Sequence, residues 1–83
     1  MKTEFLLLAQ FEKPVIALED ICEEYFACKR HTALQKAKAG TLGVNAFQLG
    51  ESNKSPWMVH ISDLAVMIDK RRAKAKEDWL GAA

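Results

Sequence analysis

The sequence predicts one small α+β domain of three helices, a β-hairpin and an N-terminal strand, and three observations carry that expectation. An amphipathic stripe at residues 18–26 is followed, after a short link, by a second helix signal that ends at Gly40. Two extended apolar runs then flank a turn-rich loop, the pattern of a hairpin. A last helical stripe opens after Ser62 and becomes strongly basic. Eighty-three residues hold a single core, so the domain is taken as 1–83. A chain that is 49% hydrophobic and 28% charged is globular rather than disordered. No apolar run approaches the roughly 20 residues that span a bilayer. FLLLA at 5–9, with Lys2 ahead of it and Glu4 beside it, is too short for a secretory signal. The expectation is a cytoplasmic protein that does not engage membranes.

TEFLLLAQF, residues 3–11, is apolar in nearly every place, which fits a buried strand or one side of a buried helix. Lys13 and Pro14 follow, and Pro14 disfavours helix at Lys13, so the reading is a strand. Val15, Ile16 and Ala17 lead into LEDICEEYF, 18–26, where Leu18, Ile21, Cys22, Tyr25 and Phe26 recur at helical spacing. Glu19 and Asp20 suit the positive end of that helix's dipole. ACKRH, 27–31, is a short link that lacks the glycine often found in such a turn.

In HTALQKAKAGTL, 31–42, Thr32 with Gln35 three residues on has the form of a capping box, and Gly40 suits a left-handed C′ position. About two turns of helix are expected over Ala33–Ala39. Winding places Ala33, Leu34 and Ala37 on one side and Thr32, Gln35, Lys36 and Ala39 on the other. So short a helix needs support from its neighbours. Two short helices joined in this way form a helix-turn-helix, whose second helix carries the reading face.

LGVNAFQL, 42–49, and WMVHI, 57–61, read as short strands around the polar loop GESNKSP, 50–56. A hairpin of this size is a wing, with its tip at 52–55. Ser62 is expected to cap a helix over 63–79, within a basic C-terminal segment bounded at 63–80. Leu64, Met67 and Ile68 make its core stripe, Arg71, Ala75 and Trp79 prolong that line, and the second half is expected to project. The assembly of these parts is a winged helix-turn-helix.

A net charge of +1 conceals a strong segregation. Residues 1–28 hold two lysines against six carboxylates, whereas 29–76 hold ten bases against three. A basic side can meet phosphates and an acidic side a protein, although charge runs are usually solvated faces. Gln35 and Lys36 are the candidate base readers, because Gln pairs bidentately with adenine and Lys donates to guanine O6 and N7, with Ala39 against a thymine methyl. Phosphate candidates at the helix start are Lys29, Arg30, His31 and Thr32. Lys38, whose stem shares a side with Leu34, joins them, as do Ser52, Asn53 and Lys54 at the wing tip and Arg71 and Arg72 on the last helix. Glu19, Asp20, Glu23 and Glu24 form an acidic face that phosphate repels; with Trp79 they are assigned to protein partners, RNA polymerase among them.

Cys22 and Cys28 are too few for a disulfide framework, and Cys22 is needed by the core. Cys22, Cys28, His31 and His60 fit no standard zinc spacing, so neither metal nor cofactor is expected. The sequence has no nucleophile elbow, phosphate-cradling glycine loop or HExxH, and no enzyme is expected.

The order of elements resembles the winged helix-turn-helix of excisionases and mercury-resistance regulators. More closely, the chain resembles the pyocin activator proteins of the PrtN type. TEFLLLAQF at 3–11, Glu24-Tyr25-Phe26, KAKAGTL at 36–42 and SPWMVHISDLAVMIDKRRA at 55–73 carry that resemblance in collinear order. The family's apolar stretch before a polar or basic residue corresponds to Val44–Phe47 with Gln48 following. The resemblance implies a bacterial or prophage transcriptional activator that binds repeated elements of double-stranded DNA upstream of bacteriocin or phage-related genes. One module makes few contacts, so a homo-oligomer on DNA is expected. An excisionase-like protein that bends DNA and a phage-type inhibitor or antirepressor that binds protein alone remain the alternatives.

Overall fold

The computed structural model describes residues 2–52 and 54–82. Among the described residues the chain runs α1 (Thr3–Phe11), β1 (Val15–Ala17), α2 (Leu18–Phe26), α3 (Arg30–Ala39), β2 (Ala46–Gln48), β3 (Trp57–His60) and α4 (Ile61–Ala82). These four helices surround an antiparallel sheet of order β1-β3-β2.

The first segment corrects the sequence reading: residues 3–11 are a helix, not a strand, and there are four helices rather than three. Leu, Ala, Gln and Glu dominate the run and favour helix, with Thr3 at its start as the single β-branched residue, while Val15 and Ile16, which favour strands, come after it. Thr3, Leu7 and Phe11 form the stripe that docks, Leu7 fully buried and the other two half-buried. Pro14 limits the helix in a different way from the one expected. Glu12 closes α1 in a left-handed conformation (φ 59°), its N–H donating to Leu8 O at 2.7 Å, and Pro14 lies just beyond that cap.

The sheet's third strand is the short Val15–Ala17 segment that follows. Ile16 and Ala46 lie on either side of Val59 across the sheet, and Pro14 O accepts from Ile61 N–H at 2.8 Å. Ile16, Leu18, Ile21, Val59, Ile61 and Leu64 are almost wholly buried and form the centre of the core, with Phe11 and Tyr25 stacked at a tilt on its edge (ring centroids 6.2 Å apart). α2 occupies the residues expected of it, with Leu18, Ile21 and Cys22 buried.

α4 begins at Ile61, and Ser62 does not cap it. The N–H of Ser62 instead donates to His60 Nδ1 at 3.0 Å, so the imidazole satisfies an amide of the first turn. The Ser62 hydroxyl donates to Glu4 Oε1 (2.6 Å) and Thr3 Oγ1 donates to Asp69 Oδ1 (2.7 Å), which ties α1 across α4. Leu64, Ala65 and Met67 are buried and Ile68 half-buried, whereas residues 69–81 are exposed throughout. The second half of α4 is therefore an arm standing away from the body. It draws the molecule out to 50 × 27 × 16 Å.

Candidate nucleic-acid interface

The turn between α2 and α3 is built without glycine. Ala27 takes the left-handed position itself (φ 53°), and the N–H groups of Ala27 and Cys28 both donate to Cys22 O. Lys29 is extended and α3 begins at Arg30, three residues earlier than expected. Ala33 N–H donates to Lys29 O at 2.9 Å. Thr32 thus lies inside the first turn, and no side chain caps the helix, so the Thr32–Gln35 capping box is not formed. The amides of Arg30, His31 and Thr32 precede the first intrahelical bond. At the other end Gly40 is left-handed (φ 74°), donating to Ala37 O at 3.3 Å while Thr41 N–H donates to Lys36 O at 2.9 Å. This is a Schellman closure, as the glycine predicted.

α3 docks through Ala33, which is buried, and through Leu34 and Ala37, which are half-buried. Thr32, Gln35, Lys36 and Ala39 are all exposed, so the division of faces read from the sequence holds. His31 and Lys38 are exposed on the flank of that outward stripe. Lys38 lines a cleft with Leu34 and Arg30 of α3 on one wall and Lys54 and Trp57 of the hairpin on the other. α3 and Lys54 of the hairpin loop therefore adjoin a single concave edge.

Arg30 is placed differently from the other phosphate candidates. Its Nε lies 3.0 Å from Glu19 Oε2, and Glu19 lines the same cleft. One member of the acidic face thus points toward the basic edge, while Asp20, Glu23 and Glu24 are exposed elsewhere on α2. No local signal marks this pair, because the turn brings together residues eleven apart in sequence.

The wing is closed at its neck. Gln48 Nε2 donates to Ser55 O at 2.7 Å, and Ser55 N–H donates to Ser52 O at 3.0 Å. Lys54 N–H donates to Ser52 Oγ at 3.1 Å, leaving the exposed Lys54 side chain at the tip. A β-carbon at Gly50 would overlap the Ser55 hydroxyl and lie 3.1 Å from the Ser55 β-carbon, so a larger residue there requires the Ser55 side chain to turn aside. Asn53, the remaining tip candidate, lies outside the described residues. Arg71 and Arg72 are exposed on α4; Arg71 Nη2 lies 3.7 Å from the position of a β-carbon at Gly43, so it reaches back toward the loop after α3. Trp79 is 71% exposed on the arm, far from this edge in sequence.

The cysteines and histidines have structural uses where they are engaged. Cys22 Sγ donates to Glu19 O (3.6 Å) and His60 receives the Ser62 amide. No helix among the described residues is long and apolar enough to cross a membrane.

A family model described as pyocin activator protein PrtN matches residues 3–75, from α1 into the arm of α4. No curated protein matches the chain, and no solved structure does. With nearly every element inside the matched range, the chain belongs to the PrtN family of pyocin activator proteins.

Proposed function

We propose that the protein is a sequence-specific DNA-binding transcriptional activator of pyocin-type genes, and that it binds as a winged helix-turn-helix. In this reading α3 enters the major groove, Gln35 and Lys36 read base edges, and Ala39 packs on a thymine methyl. Lys29, His31, Thr32 and Lys38 hold the flanking phosphates together with Ser52, Asn53 and Lys54 of the wing. Arg30 forms an exposed ion pair with Glu19, with which a phosphate would have to compete. The observation that carries the reading is the exposed stripe of α3, anchored by an apolar underside and flanked by a cleft with Lys38 on one wall and Lys54 on the other. A helix-turn-helix pair followed by an antiparallel hairpin supports the fold reading, and family membership supports the activator role. Asp20, Glu23 and Glu24, exposed on α2, are the surface offered to RNA polymerase.

Selection of bound duplexes from a random pool, followed by gel shifts over a salt series, tests this. Affinity should fall steeply with salt. Gln35→Ala or Lys36→Ala should erase about 1–3 kcal/mol of discrimination at one position of the site, whereas Lys54→Ala should weaken all sequences alike. Equal losses on selected and random duplex from Gln35→Ala would remove that residue from the reading role. No shift on any fragment, with a stoichiometric protein complex instead, would turn the reading toward an inhibitor that binds protein.

A further inference from the structure

The arm of α4 carries a pattern beyond its basic charge. From Ile68 at the edge of the body outward, Ile68, Arg72, Ala75 and Trp79 fall at alternating spacings of four, three and four, so Arg72 rather than the expected Arg71 continues the core stripe of the helix as a coiled-coil seam. Ile68 is half-buried, while Arg72, Ala75 and Trp79 are exposed. In the heptad these four set, Asp69 and Lys76 occupy one flanking position, and Arg71 and Asp78 occupy the other. Each flank thus pairs one acid with one base. In parallel helices, Arg71 of one copy would face Lys76 of the next, a repulsion repeated on both sides. In antiparallel helices like flanks meet, so Arg71 faces Asp78 and Asp69 faces Lys76, each pair formed twice. The same register seats Trp79 against Ile68 and sets Arg72 opposite the small Ala75, with its stem along the seam and its charge at the edge.

We infer that two copies of this chain associate through their arms, antiparallel about a two-fold axis between residues 73 and 74, as a dimer that forms without DNA. The occupant of the arm's exposed seam is therefore a second copy, and the two α3 helices lie toward opposite ends of the pair. Three flank groups have partners before association. Asp69 accepts from Thr3 Oγ1 at 2.7 Å, Asp78 lies 3.7 Å from Lys74 of its own helix, and Arg71 extends toward Gly43. All three side chains are exposed; Arg71 and Asp78 turn to the second copy, and Asp69 takes Lys76 on its remaining acceptor sites. The inference does not depend on what α3 binds.

Sedimentation of the full chain without DNA should give a monomer–dimer equilibrium at micromolar concentration. Asp78→Arg sets arginine against Arg71 at both flank pairs, and Arg71→Asp sets aspartate against Asp78. Each alone should weaken self-association by about tenfold or more. Mixed in equal amounts, the two variants should recover a heterodimer close to wild-type affinity, since every reversed pair is then matched. Trp79→Ala should also dissociate the dimer while circular dichroism shows retained helix. A wild-type chain that stays monomeric, a dimer that either charge variant leaves intact, or a mixture that fails to recover overturns the proposal. So does a monomer whose arm variants change duplex affinity alone, which would assign the arm to DNA.

Discussion

α2 and α3 are neighbours of nearly equal length, nine and ten residues, each closed by a left-handed residue, yet they are held in opposite ways. α2 buries Leu18, Ile21 and Cys22 and belongs to the core. α3 buries Ala33 and rests the half-buried Leu34 and Ala37 beside it. The first helix is anchored by three buried apolar side chains, the second by one buried alanine with Leu34 and Ala37 partly covered beside it. The lesson is a division of labour. The outward residues of α3 have no packing to maintain, so they can change while the fold stays the same.

The contrast can be tested by unfolding in urea. Ile21→Ala should be the most damaging change, removing about 2–5 kcal/mol by leaving a cavity beneath α2. A loss below 1 kcal/mol would mean that α2 is not the anchor. Ala33→Leu should cost about 1–3 kcal/mol by lifting α3 from the core, and duplex binding should fall with it. The caps come next. Gly40→Ala meets no atom within 4 Å of the new β-carbon, so its expected loss of about 1–2 kcal/mol is conformational strain alone. Ala27→Gly should do the reverse and stabilise by up to about 1 kcal/mol, because the residue is already left-handed. Gln35→Ala should be the smallest, within about 0.5 kcal/mol of wild type in stability. A large destabilisation there would show that the reading face also carries structural load.

The same contrast explains what could be read in advance. α2 was legible to the residue because its spacing, acidic first turn and apolar stripe agree. The end of α3 was legible through Gly40, and its two faces through periodicity. Its start was not, because Thr32–Gln35 is a local pattern that competes with an equally available extended residue at Lys29, and tertiary packing selects the latter. The N-terminal helix is hard to read because its apolar run fits helix and strand alike, and a proline just past a cap resembles one that forbids a helix. His60 capping α4 and Glu19 holding Arg30 are contacts made by the fold. Neither has a signature in the string of residues.

The neck of the wing, where Gly50 lies against Ser55 and Gln48 holds the Ser55 carbonyl, bears on how such a protein can diverge. The collar is fixed by contact, but the loop above it is governed mainly by chain entropy, and doubling such a loop costs only about 0.6 kcal/mol. The exposed Glu51 and Lys54 side chains can therefore change in charge with little penalty to folding, provided that the hydrogen bonds of Ser52 and Gln48 stay. Under the proposed function, reach along the flanking backbone is set by this tip and base preference by α3, so one can change without the other.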